Sequence, residues 1–352
     1  MTQYGRDFET LSLSGCERRM NRADDVLIRV HASSVNPIDL EQADGFGHTV
    51  FNLMRRMSCE REDLPLCLGR DFSGVVEAKG PAVTRLRVGD HVIGVLSPEV
   101  RHGSHATHVV ASSSLVVKKP ESVSHDEAAA VPYAGLTALS AVCIYAGLNS
   151  HNSRFKRVLV LGGTGSVGLS AISILKSFGA DVTATCSADA KDWLRNVSPV
   201  DDVIDYNSAD EFAAHAGKYD VVLNAAPMSA GVIHEQGINC LKKQSCAQYV
   251  SLTQPVLKQT DASGLVLGTI LSGYDLLSQN VRHVLNDGIL VKWAFVVPST
   301  GGLQFLADMM SDKRLEPVVH QVFPFDQMRE AYDFAAKGHA RGKTVIRMPA
   351  PH

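Results

Sequence analysis

Apolar and polar residues alternate in two rhythms along this chain, and the change falls near residue 125. From Asp25, the run Val26-Leu-Ile-Arg-Val-His-Ala32 alternates in part, as a half-buried strand does, until Ser34–Asp39 breaks it at Pro37. Leu68–Ala78, Asp90–Leu96 and Ala106–Ala111 are further strand candidates, separated by glycine, proline and charge. Short strands with turns between them predict an all-β unit. After His125 the rhythm becomes helical: Asp126 and Glu127 suit a helix N-terminus, and Leu136–Ala146 continues the pattern. From Lys156 onward strands and helices alternate. Val158–Leu161, Asp181–Cys186, Asp202–Tyr206, Tyr219–Ala225, Gln248–Leu252 and Val291–Val297 make six strands, enough for a complete doubly wound parallel sheet. Beyond Pro298, Gly301–Ser311 reads as a helix, Pro317–Phe323 as a strand and Asp326–Lys337 as a helix. Lys343–Met348 reads as a last strand returning to the first unit.

The sharpest local signal is the first strand of the second rhythm, which empties into glycines at 163, 165 and 168. In G-x-G-x-x-G the first glycine permits a tight turn, the second lets a pyrophosphate approach the backbone, and the third lets the helix pack closely on its strand. The backbone N–H groups of Ser166, Val167 and Gly168 then open a helix that faces the phosphates with partial positive charge. Val167, Leu169, Ala171, Ile172, Ile174, Leu175 and Phe178 give that helix a broad apolar face, and Gly179 sits where it should stop. The context predicts a dinucleotide site in a Rossmann unit.

Size and charge narrow the rest. At 352 residues and 45% hydrophobic content, length favours two domains. A net charge of −3 with interspersed signs offers no field for nucleic acid. The seven cysteines form no C-x-x-C pair and suit a reducing compartment. Ala128–Leu148 carries no charge, but it is rich in Ala, Gly, Ser and Thr, holds Pro132 and lacks flanking Lys/Arg clusters. It reads as a buried helix at a domain junction, not a membrane span. Residues 1–25 contain no apolar signal core, and their acids weaken a transit-peptide reading.

Cofactor choice is read at the tip of the second parallel strand. NAD enzymes place Asp or Glu there to accept the ribose 2′-hydroxyl, whereas this strand ends Ala184-Thr-Cys-Ser187. Without an acid to repel a 2′-phosphate, NADPH is the expected cofactor. Ser187 can donate to the phosphate, Lys191 can add charge and Tyr206 ends the next strand beside the same pocket. Ser187 also fits a helix N-cap, and Lys191 a solvated helix face.

Five ordered motifs carry a family resemblance: Ala32–Asp39, Leu68–Glu77, Arg87–Val92, Pro132–Ala138 and Gly338–Thr344. The chain resembles a zinc-independent quinone oxidoreductase of the medium-chain dehydrogenase/reductase superfamily. Val291–Phe295 and Gly338–Thr344 most resemble its mitochondrial reticulon-interacting subfamily. The resemblance implies an α/β chain with a GroES-like β domain over residues 1–125, completed by 299–352, and a Rossmann domain over 126–298, with the active cleft between them. It also implies that the loop His339, Ala340, Arg341 contacts NADPH, that Ala294 and Val296 offer backbone groups to the nicotinamide amide, and that Leu252 lines the nicotinamide side. Arg341 also reads as a surface charge. Relatives of that subfamily carry a mitochondrial presequence, and this chain starts inside the equivalent of their first strand.

The same resemblance shows what has changed. Zinc-dependent relatives carry a cysteine where this chain has Asn36, and Gly-His-Glu where it has Gly69, Arg70 and Asp71. An arginine offers zinc no lone pair. His102, His105 and His108 are a competing metal set, but strand alternation puts 105 and 108 on opposite faces. Without a Lewis acid the expected chemistry is hydride transfer from NADPH to a quinone or another conjugated carbonyl, which delocalises charge onto its own oxygen. Asn36 is the leading candidate donor to that oxygen, equally readable as a turn cap before Pro37; Asp39 and Tyr133 are further cleft candidates. An enal or enone double-bond reductase and an NADPH-binding scaffold for a mitochondrial membrane or respiratory partner stand as alternatives. A membrane-associated protein partner and a homodimer are left open.

Overall fold

The computed structural model describes the chain except residues 2, 6, 7, 9, 10, 13, 16, 17, 58–63, 227–230, 339, 351 and 352. In chain order, β1 (Asp25–Val35), α1 (Pro37–Ala43), α2 (His48–Met57), β2 (Asp71–Lys79), β3 (His91–Val95), β4 (His108–Ser112) and β5 (Val116–Lys118) come first. The short helices α3 (His125–Ala129) and α4 (Pro132–Leu139) lead into β6 (Arg157–Leu161), α5 (Ser166–Ser177), β7 (Asp181–Cys186), α6 (Lys191–Val197), β8 (Asp202–Asp205) and α7 (Ala209–Ala214). Then come β9 (Val221–Asn224), α8 (Gly231–Asn239), β10 (Gln248–Ser251), α9 (Val256–Ser263), α10 (Leu265–Asp287) and β11 (Leu290–Trp293). The chain closes with α11 (Thr300–Ser311), β12 (Val319–Pro324), α12 (Met328–Ala336) and β13 (Lys343–Arg347).

Two sheets result. In the first, β1 is the spine: Val26, Ile28, Val30 and Ala32 alternate into the core, as the sequence pattern requires. Its first half pairs with β4, its second half with β13, and β2 pairs along most of its length. The last strand therefore does return to the first unit, bringing β12 beside it. β2 starts at Asp71 rather than at the expected Leu68, because Gly69 turns with φ +97° and Leu68–Arg70 bond to the facing loops instead. The second sheet runs β11-β10-β9-β6-β7-β8, all parallel. That is the doubly wound order, with its reversal between β6 and β9.

The uncharged stretch after Ala128 is helical but broken. Proline lacks an N–H and disfavours helix at the residue before it, so α3 ends and α4 restarts with Pro132 in its first turn. A wider π-type turn then runs over Ser140–Tyr145. Leu136, Ala138 and Val142 are buried in the same core as Ile172 of α5 and Leu306 of α11. Ser140 fastens this junction to the second sheet: its hydroxyl donates to Leu136 O at 2.7 Å and accepts from Val297 N at 3.0 Å. Among the described residues no helix is long and apolar enough to cross a membrane.

α10 covers the edge of the second sheet. The edge strand's Val291 would leave an N–H and a carbonyl unpaired, and the Asn280 carboxamide meets both at 2.9 Å. Asn280→Ala strips that mimic of a strand and should lower unfolding stability by about 1 kcal/mol, read from the denaturant midpoint.

A histidine stack sits on the first sheet where α3 joins it. The His31 and His125 rings lie 4.3 Å apart, His91 Nδ1 is 2.9 Å from His125 Nε2, and Ser73 Oγ is 2.7 Å from His125 Nδ1. Burial first, then the neighbouring His31, lowers His125 to about 3. The folded protein keeps this ring neutral while the unfolded chain protonates it near 6.5, so its contribution is present above pH 6.5 and is lost as pH falls from there toward 3. The melting temperature should drop across that window, and less steeply in His125→Ala.

Candidate active site

The glycine loop divides its labour differently from the expectation. The left-handed turn belongs to Gly162, φ +82°, one residue before the motif's first glycine. Gly163 is needed for packing instead, since a Cβ there would stand 2.8 Å from that of Ala184 on β7. Gly165 caps α5, and the space where its Cβ would point is open, with nothing nearer than 3.6 Å. A Cβ on Gly168 would lie 2.2 Å from Gly162 O, so only glycine lets α5 approach its strand. No side chain caps α5, which leaves the first-turn N–H groups of Ser166, Val167 and Gly168 directed at that open space. An extended anion fits this cradle.

The other expected cofactor positions line up along the carboxyl ends of the same strands. Ser187 follows β7, Tyr206 follows β8, Leu252 follows β10, and Ala294 and Val296 follow β11. Leu252 N donates to Asn224 O at 3.0 Å and Ala294 N to Ser251 O at 2.8 Å, which extends the sheet past its strands. Two charges are already engaged. Lys191 Nζ lies 2.7 Å from both Glu211 carboxylate oxygens, and Arg341 pairs with Asp189 while its guanidinium sits 5.9 Å above the Trp193 ring. The Ser187 hydroxyl, with Arg341 behind it, holds the Asp189 carboxyl below the usual range. Ala340 is partly buried beside Arg341; His339 lies outside the described residues.

The loop carrying Arg341 crosses to the glycine loop. Gly342 bridges Gly165, and its N–H donates to Thr164 O at 3.1 Å. The next residue, Lys343, sends its side chain into the first sheet, where its ammonium donates to Asn36 Oδ1. Asn36 caps α1 at the end of β1, and its Nδ2 donates to Asp71 Oδ2 at 2.7 Å. Asp71 also accepts from Ser34 Oγ at 2.6 Å and, through Oδ1, from the N–H of Tyr133, and Lys343 Nζ stands 3.6 Å away. Burial pushes the Asp71 carboxyl up against the pull of Lys343, Ser34 and Asn36, and pushes the Lys343 ammonium down. Four separate segments thus meet at one buried carboxylate.

Asp39 anchors the neighbouring loop. It is fully buried, accepting from Asn36 N at 2.8 Å and Gly69 N at 2.9 Å. Arg70, also fully buried, lies 3.8 Å from it through Nε and donates to Ser97 O, Val100 O and Gln42. Tyr133 differs from all of these: it is only partly buried, and its hydroxyl has no hydrogen-bond partner among the described residues. Burial raises its pKa, so it stays a neutral O–H donor. Sequence reasoning named Asn36, Asp39 and Tyr133 but missed Lys343. The available signal was a cation opening the apolar strand Lys343-Thr-Val-Ile directly after a glycine.

The donor set does not fit zinc. Arg70 and Lys343 are cations, Asn36 has both ends of its amide committed, and Asp71 is the shared acceptor. His102, His105 and His108 turn to different partners, Arg18, Tyr332 and Glu77.

Comparison with known proteins agrees with this architecture. Residues 22–121 match the alcohol dehydrogenase GroES-like domain, and residues 199–346 match the zinc-binding dehydrogenase family. The Homo sapiens mitochondrial NAD(P)H oxidoreductase RTN4IP1 is 38% identical over 328 residues, 92% of this chain and 81% of that protein. The mitochondrial reticulon-4-interacting protein 1 of Caenorhabditis elegans is 32% identical over 93% of this chain and 89% of its own. Among solved structures, the quinone oxidoreductase of Coxiella burnetii superimposes with a TM-score of 0.78 at 27% identity, covering 99% of this chain and 98% of that one.

Gly168→Ala tests the cradle. The added methyl must push α5 off its strand, so the variant should lose the rise in melting temperature that NADPH gives the parent protein.

Proposed function

The chain belongs to the medium-chain dehydrogenase/reductase superfamily, and from that premise we propose that it is a zinc-independent reductase using NADPH to reduce a quinone or similar conjugated carbonyl. It is an oxidoreductase of the NAD(P)H-dependent type. The observation that carries the finer reading is the donor set beside the cleft: a guanidinium, an ammonium and an amide where a metal would need lone pairs. A substrate that needs no Lewis acid suits such a site.

When bound, the reduced nicotinamide supplies the hydride. The residues of this chain do the rest. The N–H groups of Ser166, Val167 and Gly168 receive the pyrophosphate. Ser187, with Lys191 and Arg341 released from their carboxylates, meets the 2′-phosphate, and Tyr206 flanks the adenosine end. Ala294, Val296 and Leu252 border the nicotinamide. At the acceptor oxygen we place the Tyr133 hydroxyl, since it has no hydrogen-bond partner among the described residues, whereas Asn36 is buried and its amide is already held by Asp71 and Lys343. Asn36 and Asp39 support that donor through Asp71 and the cap of α1, and Ala340 borders the cofactor side. Water supplies the final proton. The mitochondrial names of the relatives support a mitochondrial location.

The test is NADPH, then NADH, offered to purified protein with matched panels of quinones and enals. The reading expects NADPH-dependent quinone reduction and stronger thermal stabilisation by NADPH than by NADH. Tyr133→Phe should lower kcat roughly 10- to 100-fold while NADPH still binds. Preferential enal reduction would overturn the substrate assignment, and tight NADPH binding with no acceptor reduced would favour a scaffold.

A further inference from the structure

The place left by the absent zinc ligands is not empty. Asn36, Asp71 and Lys343 fill it with one connected set of hydrogen bonds, all of it buried. Lys343 is held at its backbone as firmly as at its tip. Its N–H donates to Val318 O at 2.9 Å, and the preceding Gly342, at φ +102°, admits no side chain because a Cβ would stand 2.4 Å from Val318 O. One residue therefore links the glycine loop, through Gly342, to the carboxylate under Tyr133.

We propose that Lys343 is a positioning residue of the reduction: it holds Asn36 and Asp71 in a single arrangement and through Asp71 fixes the first turn of α4, which carries Tyr133. This rests on the assignment of the Tyr133 hydroxyl as the donor to the acceptor oxygen.

The physical argument turns on how many donors face Asp71. Ser34 Oγ, Asn36 Nδ2 and Tyr133 N all donate to it, an arrangement that an ionised, acceptor-only carboxylate satisfies. A buried carboxylate stays ionised only beside a cation, and Lys343 is the cation 3.6 Å away. Remove the ammonium and Asp71 takes up a proton, which turns one of its oxygens from an acceptor into a donor facing the Ser34 hydroxyl and the Asn36 N–H. The carboxamide of Asn36 is then also free to turn over, because the ammonium on Oδ1 and the carboxylate on Nδ2 are what distinguish its two ends. Either change loosens the N–H of Tyr133 and with it the phenol, and small misplacements of a reacting group cost up to about 100-fold in rate.

Lys343→Met alone would strand a buried carboxylate, so the test pairs it with Asp71→Asn, which removes both charges. The Lys343→Met/Asp71→Asn protein is compared with the parent, with Tyr133→Phe and with the triple variant. Melting temperature, NADPH binding by nucleotide fluorescence, and kcat and KM for one quinone are measured for each. The expected result is a folded double variant that binds NADPH as the parent does, keeps its quinone KM within about threefold, and loses kcat roughly 10- to 100-fold. Adding Tyr133→Phe to it should then cost much less than Tyr133→Phe costs in the parent, because the donor is already misplaced. Undiminished kcat, or losses that multiply independently, would overturn the positioning role. Should Tyr133→Phe leave kcat unchanged in the parent, the donor assignment itself fails, which is a different result. If the double variant does not fold, Lys343→Gln/Asp71→Asn replaces it in the same comparison, since glutamine can still donate to Asn36 and neither position then carries a charge.

Discussion

A carboxylate taken out of water is expensive unless hydrogen-bond donors and a cation face it, and Asp71 meets that condition only because three distant segments bring four groups to it. Ser34 and Asn36 come from the end of β1 and the cap of α1, Tyr133 from the start of α4, and Lys343 from the head of β13. These are three stretches far apart in the chain. The junction between the first sheet and the helices leading to the second is therefore specified at one point, and displacing any of the four leaves buried polar groups without partners.

The same constraint links the glycine loop to the buried network around Asp71. Gly342 lies against the glycine loop, and the next residue, Lys343, bonds Asn36 and pairs with the Asp71 carboxylate that holds the Tyr133 N–H. The parallel sheet presents its strand ends, from Ser187 to Val296, toward the same side as α5. Arg70 and Asp39 form a second buried pair beside the first, holding the loop at Ser97 and Val100. In this arrangement side-chain ions do the ordering that a bound metal does elsewhere, and they do it without offering a Lewis acid.

Much of this was legible in the sequence wherever the signal is local. Asp181–Cys186 forms a strand residue for residue, the six parallel strands fall where apolar runs predict them, and Gly179 stops α5. Local pattern failed where a distant contact decides. Gly162 rather than Gly163 takes the left-handed turn, because Gly163 is pressed against β7. α1 and α2 were not anticipated; α1 begins where Pro37 seemed only to end a strand. α10 is 23 residues long and keeps Val266, Ile270, Tyr274 and Leu277 exposed, so its apolar positions do not trace one buried face. Lys343 reads as an ordinary strand opening until the fold brings it to Asn36, 307 positions away in the chain. Asn36, readable as a donor or as a cap before Pro37, does cap α1, and nothing in its sequence neighbourhood reveals that Asp71 and Lys343 bond its amide.

The central claim is that buried side-chain ions, not a metal, organise this cleft. Metal content measured on catalytically active protein, together with turnover before and after exhaustive chelation, addresses it most directly. The account predicts quinone-dependent NADPH oxidation at full rate with no stoichiometric zinc and no loss after chelation. One zinc per chain, with activity that disappears on its removal and returns on its addition, would contradict it.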